Sequence, residues 1–306
     1  MQKKILNKIL IVGKGNSGSR FKNLLKNNYI LTVISSKRFK QDIKKLDKKF
    51  ELIIISSPAS FHKNHLKRLL NFSDKFLIEK PLFTNKNQFN FFLKLNKNNL
   101  KKNIFINYNL RETALYKILG QFLKKNKNKK LNFVRLYAGQ HISMWPKNKN
   151  YLTTYSKKFF GGGAMFQLSH EIDLALYLFG VPNKHFLIRK QLDKFMDKVD
   201  DISILNFFYS KSKLLLEINI NMLDNHTRRY VELIYRDFTA KFNLFENSFC
   251  LYKNNKMIKK KVIKSDIVKS NLQVVNKVIN NNFSGLCSLN EALNQSFYLT
   301  KLKSII

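Results

Sequence analysis

The sequence predicts an α/β protein of two domains: a doubly wound parallel sheet over residues 1–108, followed by an α+β domain over 109–306 with a large, mostly antiparallel sheet. Three observations support this prediction. Short apolar runs alternate with amphipathic segments in the first third of the chain, a glycine-rich turn follows the first run, and the later runs alternate between apolar and polar residues. With 306 residues, 44% of them hydrophobic, the chain can bury the cores of two domains.

Five β-branched runs define the predicted strands of the first domain. They are KILIV (8–12), YILTVIS (29–35), FELIIIS (50–56), KFLIE (75–79) and NIFINY (103–108). The segments between them show helical patterns near 18–27, 39–48, 60–71 and 85–98. Strands that are apolar throughout and separated by helices are typical of a parallel sheet covered on both faces, so a doubly wound sheet is expected.

The first predicted strand runs directly into the turn GKGNSG at residues 13–18. In this G-x-G-x-x-G pattern, Gly13 permits a tight turn, Gly15 lets the backbone approach a pyrophosphate, and Gly18 allows the next helix to pack closely on the strand. Because the motif lies between a strand and a helix, whose first N–H groups favour phosphate, it predicts a Rossmann-type dinucleotide site rather than a turn without ligand. The predicted cofactor-binding residues of the turn are Gly13, Gly15, Asn16, Ser17 and Gly18.

The second predicted strand ends without the acidic residue that grips the ribose hydroxyls of NAD. It is followed instead by Ser35, Ser36, Lys37 and Arg38. Because hydroxyl groups and two cations suit a 2′-phosphate, Ser35, Lys37 and Arg38 are predicted to bind the cofactor, with NADP favoured over NAD. Since lysines occur along the whole chain, the missing acid is the better signal.

The fourth predicted strand ends in FLIEKPLF at residues 76–83. Ligands of open α/β sheets bind beyond the carboxyl ends of the strands, which places Glu79 and Lys80 at the cofactor. Pro81 restricts the backbone of Lys80 to extended conformations and so limits where the amine points. In isolation, a solvated Lys-Pro turn is the simpler interpretation of this segment.

Four motifs in one order give the chain a resemblance to a known family. They are IVGKGNSGSRF (11–21), IIISSPASFH (53–62), FLIEKPL (76–82) and INYNLRE (106–112). With them, the chain resembles the glucose–fructose oxidoreductase / inositol dehydrogenase (Gfo/Idh/MocA) family of NAD(P)-dependent sugar oxidoreductases. GGGAMFQLSHEID (161–173) is similar to the family's GGG-x-x-x-D-x-x-H-x-x-D signature, and MWPKNKNYLTTYSKKF (144–159) is similar to a W-x-P…D-Y…Y-S segment of a branch often found with surface-glycan and sugar-nucleotide genes. The resemblance covers residues 8–180 well and the remainder more loosely.

For the cofactor, the resemblance implies a role for each matching residue. The three motif glycines would hold the pyrophosphate. Ser57, Pro58 and His62 would line the cleft from the adenine to the nicotinamide side. Glu79 and Lys80 would lie beside the nicotinamide ribose, with Lys80 also reaching a substrate hydroxyl.

For the chemistry, the resemblance implies that Lys80 and His170 are catalytic. When a secondary alcohol is oxidised, a base takes the hydroxyl proton, and histidine has the unperturbed pKa nearest that task. A lysine ammonium stabilises the developing alkoxide charge. The implied enzyme moves a hydride between NADP(H) or NAD(H) and a carbinol or carbonyl carbon of a sugar, amino sugar or nucleotide-linked sugar, without a metal. The residues predicted to bind substrate are Arg111, Trp145, Tyr155, Gln167 and Asp173.

Two positions depart from the family pattern. Where the family carries an aspartate three or four residues before the histidine, this chain has Phe166 and Gln167, and Asn150 stands where the branch tends to have an aspartate. Glutamine cannot share a proton, so either an acid at 171 or 173 takes over or the histidine is less basic. The alternative function is therefore a catalytically weakened, cofactor-binding regulatory or scaffold protein of the same fold.

The second domain is predicted from a change of pattern after residue 108. A helix at about 111–125 is followed by alternating runs such as LNFVRLYAG, VDDISILNFFYS and RYVELIYR, which are typical of an antiparallel sheet with one packed face. Further helices are predicted at about 265–282 and 288–304, and the last opens with the capping-box spacing of Ser288 and Glu291.

The signature segment AMFQLSHEIDLALYLF (164–179) is predicted to form one helix that stops at Gly180 and Pro182. At about 100° per residue, one stripe faces the core and His170 faces away from it. The predicted core stripe contains Met165, Leu168, Ile172, Leu176 and Phe179. The opposite side contains Gln167, His170, Asp173 and Tyr177.

The formal charge of +38 raises nucleic acid as a partner. The lysine tracts, however, are spread along the chain and contain few aromatic residues for base stacking, so nucleic-acid binding is not favoured, although a basic surface suits phosphorylated ligands. Cys250 and Cys287 are far apart, which indicates neither a disulfide framework nor a zinc site. No apolar run is long enough for a membrane span, so a cytoplasmic protein is expected. By the resemblance, the second domain is expected to form homodimers or homotetramers.

Overall fold

The structure is a computed structural model that describes residues 7–46, 49–97, 103–145, 161–193 and 198–300. It contains two compact units. The first comprises the described residues up to Glu112 together with Ile267–Thr300, and the second comprises the described residues of Thr113–Asp266. The chain therefore leaves the first unit close to the predicted boundary at 108. The last two helices lie in the first unit, whereas the sequence prediction assigns them to the second.

The first unit is built on a six-stranded sheet with the strand order β14-β5-β4-β3-β1-β2. Its strands are β1 (Lys8–Val12), β2 (Ile30–Ile34), β3 (Leu52–Ile55), β4 (Lys75–Ile78), β5 (Asn103–Ile106) and β14 (Cys287–Ser288). Strands β1 to β5 pair in parallel, and β14 pairs antiparallel with β5. The parallel sheet predicted for the first domain is confirmed.

Helices cover both faces of this sheet. They are α1 (Asn16–Leu25), α2 (Phe39–Asp42), α3 (His62–Leu69), α4 (Lys86–Lys97), α8 (Ile267–Ile279) and α9 (Leu289–Thr300). Neighbouring residues of β1 belong to different cores: Leu10 lies in one apolar cluster and Ile9 in the other. A strand buried on both faces must be apolar at every position, which explains the continuous apolar runs of the sequence.

The C-terminal helices join the first unit through their apolar faces. Val274 and Val278 of α8 belong to the same cluster as Ile9 and Phe105. Leu293 of α9 belongs to the cluster on the opposite face of the sheet. Amphipathic helices pack where an apolar surface is uncovered, and the sequence alone does not show which domain leaves such a surface open.

The second predicted helix, at 39–48, forms only in part. Helix α2 ends at Asp42 and continues as a 3₁₀ turn over Ile43–Lys45. The Asp42 carboxylate accepts a hydrogen bond from the backbone N–H of Ser35, at 3.0 Å. This hydrogen bond therefore connects α2 to the residue that follows β2.

The second unit is built on an eight-stranded sheet with the order β13-β12-β11-β10-β6-β9-β8-β7. Its strands are β6 (Leu131–Gly139), β7 (Lys184–Lys190), β8 (Ile202–Tyr209), β9 (Leu214–Asn221), β10 (Arg228–Tyr235), β11 (Thr239–Asn243), β12 (Ser248–Lys253) and β13 (Lys256–Val262). Among the described strands of this sheet, β6 and β9 pair in parallel. The other neighbours are antiparallel, which confirms the predicted fold class.

The described residues of this unit form the helices α5 (Ala114–Lys125), α6 (Ala164–Gln167) and α7 (His170–Phe179). Helices α6 and α7 contact β6, β8 and β9. On the covered face, Val134, Leu136, Leu205 and Phe207 are buried, and the residues between them are partly exposed. The alternating pattern of the sequence therefore reflects a sheet with one packed face. Among the described residues, no helix is long and apolar enough to cross a membrane.

Candidate functional site

The glycine turn of the first unit has the geometry that its sequence predicts. Gly13 has φ +120°, and a Cβ atom there would lie 2.8 Å from the carbonyl oxygen of Ser56. A Cβ atom at Gly18 would lie 1.9 Å from the carbonyl oxygen of Gly13. A Cβ atom at Gly15, by contrast, would meet nothing within 4 Å. Two glycines are thus required for packing, while the third faces open space.

Helix α1 starts at Asn16 directly after this turn. Gly15 is its N-cap and supplies no capping side chain, and the first helical turn carries no acidic residue. The first N–H groups of a helix attract anions, so this end suits a phosphate. The open space beside Gly15 therefore adjoins a helix start that attracts anions.

The turn after β2 adjoins the glycine turn, since the Gly13 N–H donates to the carbonyl of Ile34 at 2.9 Å. Within it, the Lys37 N–H donates to Ser35 Oγ at 3.3 Å. Asp42 supplies a carboxylate here through its hydrogen bond to the Ser35 N–H. The sequence prediction missed this acid because it follows the strand at a distance and belongs to the next helix.

The structure places His62, which is predicted to line the cofactor cleft, in the interior. The side chain is 0% exposed. Its Nδ1 lies 3.1 Å from the carbonyl oxygen of Leu82, and its Nε2 lies 2.9 Å from that of Ser57. Burial lowers the pKa of His62, against the opposing effect of these carbonyl groups. The imidazole thereby joins the turn after β3 to the segment after Pro81.

Ser57 is also buried, and its hydroxyl lies 2.9 Å from Nδ1 of His65. Burial, together with the neighbouring His62, lowers the pKa of His65 from 6.5 to about 4. Pro58 is partly exposed and precedes the 3₁₀ turn Ala59–Phe61. Of these three predicted cleft residues, only Pro58 is open to solvent.

Glu79 follows β4 and joins several elements of the first unit. Its Oε1 accepts hydrogen bonds from Ser17 Oγ at 2.5 Å and from Asn107 Nδ2 at 3.1 Å. Its Oε2 accepts the backbone N–H of Lys80 at 3.3 Å. The predicted glycine and EKP motifs therefore meet through the carboxylate of Glu79. Asn107, which completes the contact, was missed because asparagines are common throughout this sequence.

Arg111, which the resemblance-based prediction assigns to substrate binding, is buried in the first unit. Its guanidinium donates to Glu291 at 2.9 Å, and its side chain is 2% exposed. Although burial acts to raise it, Arg111 and the Ser288 N–H hold the pKa of Glu291 below its usual value. Ser288 and Glu291 exchange hydrogen bonds at the start of α9, which confirms the predicted capping box. The position of Arg111 supports a role in stability.

In the second unit, the glycines of the signature segment lead into α6. Gly161 and Gly163 have positive φ, at 78° and 107°. The backbone N–H of Met165 donates to Asp200 Oδ2, and that of Ala164 donates to the Asp200 carbonyl, both at 2.8 Å. A Cβ atom at Gly163 would lie 2.6 Å from Asp200 Oδ1. Gly163 is therefore needed for the approach of Asp200, which caps the helix and which the sequence does not single out.

The predicted single helix is wrong: the segment forms α6 and α7, with Leu168 and Ser169 between them outside either helix. Because two axes replace one, the predicted stripes hold only in part. Met165, Leu168 and Ile172 are buried as predicted, but Asp173 is buried as well, at 2% exposure. The prediction that Asp173 lies on the side opposite the core is wrong, whereas Tyr177 is exposed as expected.

The positions around His170 are largely committed to other contacts. His170 itself is partly exposed at the start of α7. Gln167 Nε2 donates to the carbonyl of Gly161 at 2.9 Å. Phe166 lies under the guanidinium of Arg189, 5.7 Å from the ring centroid.

Glu171, a candidate replacement for the missing acid, is buried and forms an ion pair with Arg229 at 2.8 Å. Its carboxylate thus belongs to the core of the second unit. Trp145 follows a short 3₁₀ turn and is partly exposed. Tyr155 and Asn150 lie outside the described residues. Within the part of the chain that is described, no cluster of three or more His, Cys, Asp or Glu side chains could hold a metal ion.

In sequence, no family model and no curated protein matches the chain. In structure, it is similar to WlbA dehydrogenase from Bordetella pertussis, solved with NADH and UDP-GlcNAcA, at a TM-score of 0.73 and 12% identity, over 96% of this chain and 94% of that one. A homolog of inositol dehydrogenase from Azotobacter vinelandii, solved with NAD+, gives a TM-score of 0.76 at 10% identity, over 96% and 93%. The chain has the Gfo/Idh/MocA fold.

A third solved structure with this fold is the UDP-N-acetylglucosamine 3-dehydrogenase GnnA from Acidithiobacillus ferrooxidans. It matches at a TM-score of 0.72 and 12% identity, over 97% of this chain and 96% of that one. At such low identity, the similarity concerns the fold, so the activity of this chain must be argued from its own residues.

Proposed function

We propose that the protein is an oxidoreductase that moves a hydride between a nicotinamide dinucleotide and a carbinol or carbonyl carbon of a sugar, amino sugar or nucleotide-linked sugar. The observation that carries this proposal is the junction at Glu79. The glycine turn has open space beside Gly15. The hydroxyl of Ser17, which lies in the same motif, donates a hydrogen bond to Glu79, the residue before Lys80. In this fold the arrangement suits a dinucleotide whose phosphates lie at α1.

The proposed roles follow the chemistry of the side chains. The ammonium of Lys80 stabilises negative charge on the reacting oxygen of the substrate. His170 takes the hydroxyl proton, or returns it in the reverse direction. The bound nicotinamide supplies the hydride chemistry. We leave Arg111 out of the proposed substrate site because its guanidinium is buried against Glu291. Trp145, Gln167, Tyr155 and Asp173 stay predictions for substrate binding.

We further propose a preference for NADP. Two cations, Lys37 and Arg38, follow β2 and favour a 2′-phosphate, whereas the carboxylate of Asp42 opposes one. In the variant Asp42→Asn, the affinity for NADPH relative to NADH should therefore rise severalfold. Parallel titrations of both cofactors test this. A clear preference of the wild-type protein for NADH would contradict the NADP proposal.

A nucleotide-linked sugar is the substrate class we favour, and surface-glycan biosynthesis is the corresponding process. The formal charge of +38 attracts the diphosphate of such a substrate. WlbA dehydrogenase was solved with UDP-GlcNAcA, GnnA is named a UDP-N-acetylglucosamine 3-dehydrogenase, and both share the fold. We also propose a homo-oligomer, because the sheet of the second unit leaves exposed apolar side chains such as Leu215 on its open face.

The test is turnover with a panel of sugars and UDP-sugars, followed by nicotinamide absorbance. Lys80→Ala and His170→Ala should each lower turnover by about 100-fold or more and leave cofactor affinity nearly intact. Near-normal turnover in both variants would refute the assignment of these residues.

A second candidate is a cofactor-binding regulatory protein with weakened catalysis. The observation that favours it is the environment of His170: Gln167 is bonded to Gly161 and Glu171 to Arg229, so neither supports an imidazolium by charge. Tight NADPH binding without turnover across the whole panel would favour this candidate over the enzyme.

A further inference from the structure

The carboxylate of Glu79 is positioned by a chain of hydrogen bonds that reaches α8. Asn107 is 2% exposed at the end of β5. Its Nδ2 donates to Glu79 Oε1 at 3.1 Å and to Asn271 Oδ1 at 2.8 Å. The two hydrogens of this amide group are thus committed to two acceptors on different elements.

Asn271 can present only its oxygen to Asn107. It is 1% exposed on α8, and its Nδ2 lies 3.3 Å from the backbone carbonyls of Ile267 and Val268. Those acceptors require the amide hydrogens, so the carbonyl oxygen points toward Asn107. Two acceptors, Glu79 and Asn271, therefore determine the orientation of the Asn107 amide.

This orientation is kept at a cost. Asn107 Oδ1 is buried and has no hydrogen-bond partner among the described residues. An unsatisfied buried acceptor is destabilising. A flipped amide would, however, direct this oxygen at the carboxylate of Glu79, which is worse. The two acceptors of its NH2 group therefore fix the orientation of the Asn107 amide, even though its oxygen stays without a hydrogen bond.

Helix α8 itself is attached near this point by a separate pair. Asn109 Nδ2 donates to Ser270 Oγ at 2.7 Å, and Ser270 is 1% exposed. This second pair has no bond to Glu79. The chain thus offers two neighbouring buried contacts of α8, only one of which leads to the proposed cofactor site.

We infer that Asn271 is a positioning residue of the proposed cofactor site: through Asn107 it orients the carboxylate of Glu79, and with it the backbone of Lys80. The inference rests on the proposed function. Loss of the acceptor at 271 frees the Asn107 amide to turn away from Glu79. The nicotinamide half of the cofactor then meets a less ordered site, whereas the adenine half is unaffected.

The experiment compares Asn271→Leu with the control Ser270→Ala, using NADPH and, for the adenine half alone, 2′,5′-ADP. Asn271→Leu should weaken NADPH binding about tenfold while changing 2′,5′-ADP binding less than about twofold. Ser270→Ala should change neither by more than about twofold. A general destabilisation of the fold would weaken the binding of both ligands alike. The ratio of the NADPH effect to the 2′,5′-ADP effect therefore separates positioning from stability.

Two further variants keep the inference testable. If Asn271→Leu does not fold, Asn271→Ala removes the same acceptor without added bulk. Combined with Glu79→Gln, the Asn271 variant should weaken NADPH binding by less than the product of the single effects, because both act through one contact. Equal ratios in the Asn271 and Ser270 variants, or multiplicative effects with Glu79→Gln, would overturn the inference and leave the proposed function standing. A wild-type protein that binds neither ligand would overturn the proposed function itself.

Discussion

In the first unit, Glu79 is held by donors from α1 and from the end of β5, whereas in the second unit His170 begins a short helix whose adjacent acids are committed elsewhere. Glu171 is paired with Arg229, and Asp173 is buried. Glu79 is thus linked to several elements of the first unit, whereas Glu171, next to His170, is engaged in an ion pair within the second unit. We therefore expect the departures from the Gfo/Idh/MocA pattern at Phe166 and Gln167 to affect the proposed proton transfer more than the proposed dinucleotide site.

The variant with the largest expected effect tests the glycine turn of the first unit at Gly18. In Gly18→Ala the new Cβ atom would lie 1.9 Å from a backbone oxygen, so the turn or the helix must shift. We expect the free energy of unfolding to fall by about 3 kcal/mol or more and dinucleotide binding to be lost. Denaturant unfolding measures the first effect. The matched control Gly15→Ala, which meets nothing within 4 Å, should fold normally.

In the second unit, the matching test is Asp200. Asp200→Ala removes the cap of α6 and the ion pair with Arg189, so the free energy of unfolding should fall by about 3 kcal/mol. Ser203→Ala, which removes only one hydrogen bond to Asp200, should lose about 1 kcal/mol. Thermal unfolding checks both. Similar losses in the two variants would show that Asp200 does not organise the signature segment.

Acid should weaken the first unit through His65. Its pKa is about 4 in the folded protein and 6.5 unperturbed, so between these values the unfolded chain binds more protons. The free energy of unfolding is therefore highest above pH 6.5 and falls by up to about 3 kcal/mol as the pH drops toward 4. Denaturant titrations across this interval measure the slope. In His65→Asn the slope should be smaller, and an unchanged slope would contradict the assignment.

The variant with the smallest expected effect tests the surroundings of His170 in the second unit. Gln167→Asp restores an acid near the position where the family carries one, at the cost of the hydrogen bond to Gly161. If the lack of charge limits His170, turnover should rise severalfold and the pH profile should shift toward higher pH, because a carboxylate favours the imidazolium. Turnover measured from pH 5 to 9 checks this. Unchanged or lower turnover at every pH would show that the missing acid is not the limitation.

The fold of the first unit was predictable because local patterns determine it. The parallel strands are mostly apolar, and each glycine of the turn has a local steric or ligand-related reason. The return of α8 and α9 to this unit was not predictable, since their apolar faces do not specify which sheet they cover. Neither was the Asp42 carboxylate, which reaches the end of β2 only through the fold of α2.

In the site, the motif residues were predictable and their supports were not. Glu79 and Lys80 were identified from three consecutive letters, but Asn107, Asn271 and Asp200 are common residue types whose partners lie far away in sequence. The helical break at Leu168 and Ser169 also escaped prediction. A prediction from periodicity assumes a single helix axis. The start of α6 depends on Asp200, which is distant in sequence, so the periodicity does not show it.

The central claim is that a dinucleotide binds at the glycine turn, and Gly15 offers the most direct measurement. A side chain at this position meets open space, so Gly15→Asp should fold like the wild type while placing a negative charge where the pyrophosphate would lie. Fluorescence titrations with NADPH and NADH should show saturable binding to the wild-type protein and a loss of about 100-fold in the variant. No saturable binding to the wild type, or equal binding to a folded Gly15→Asp variant, would contradict the claim.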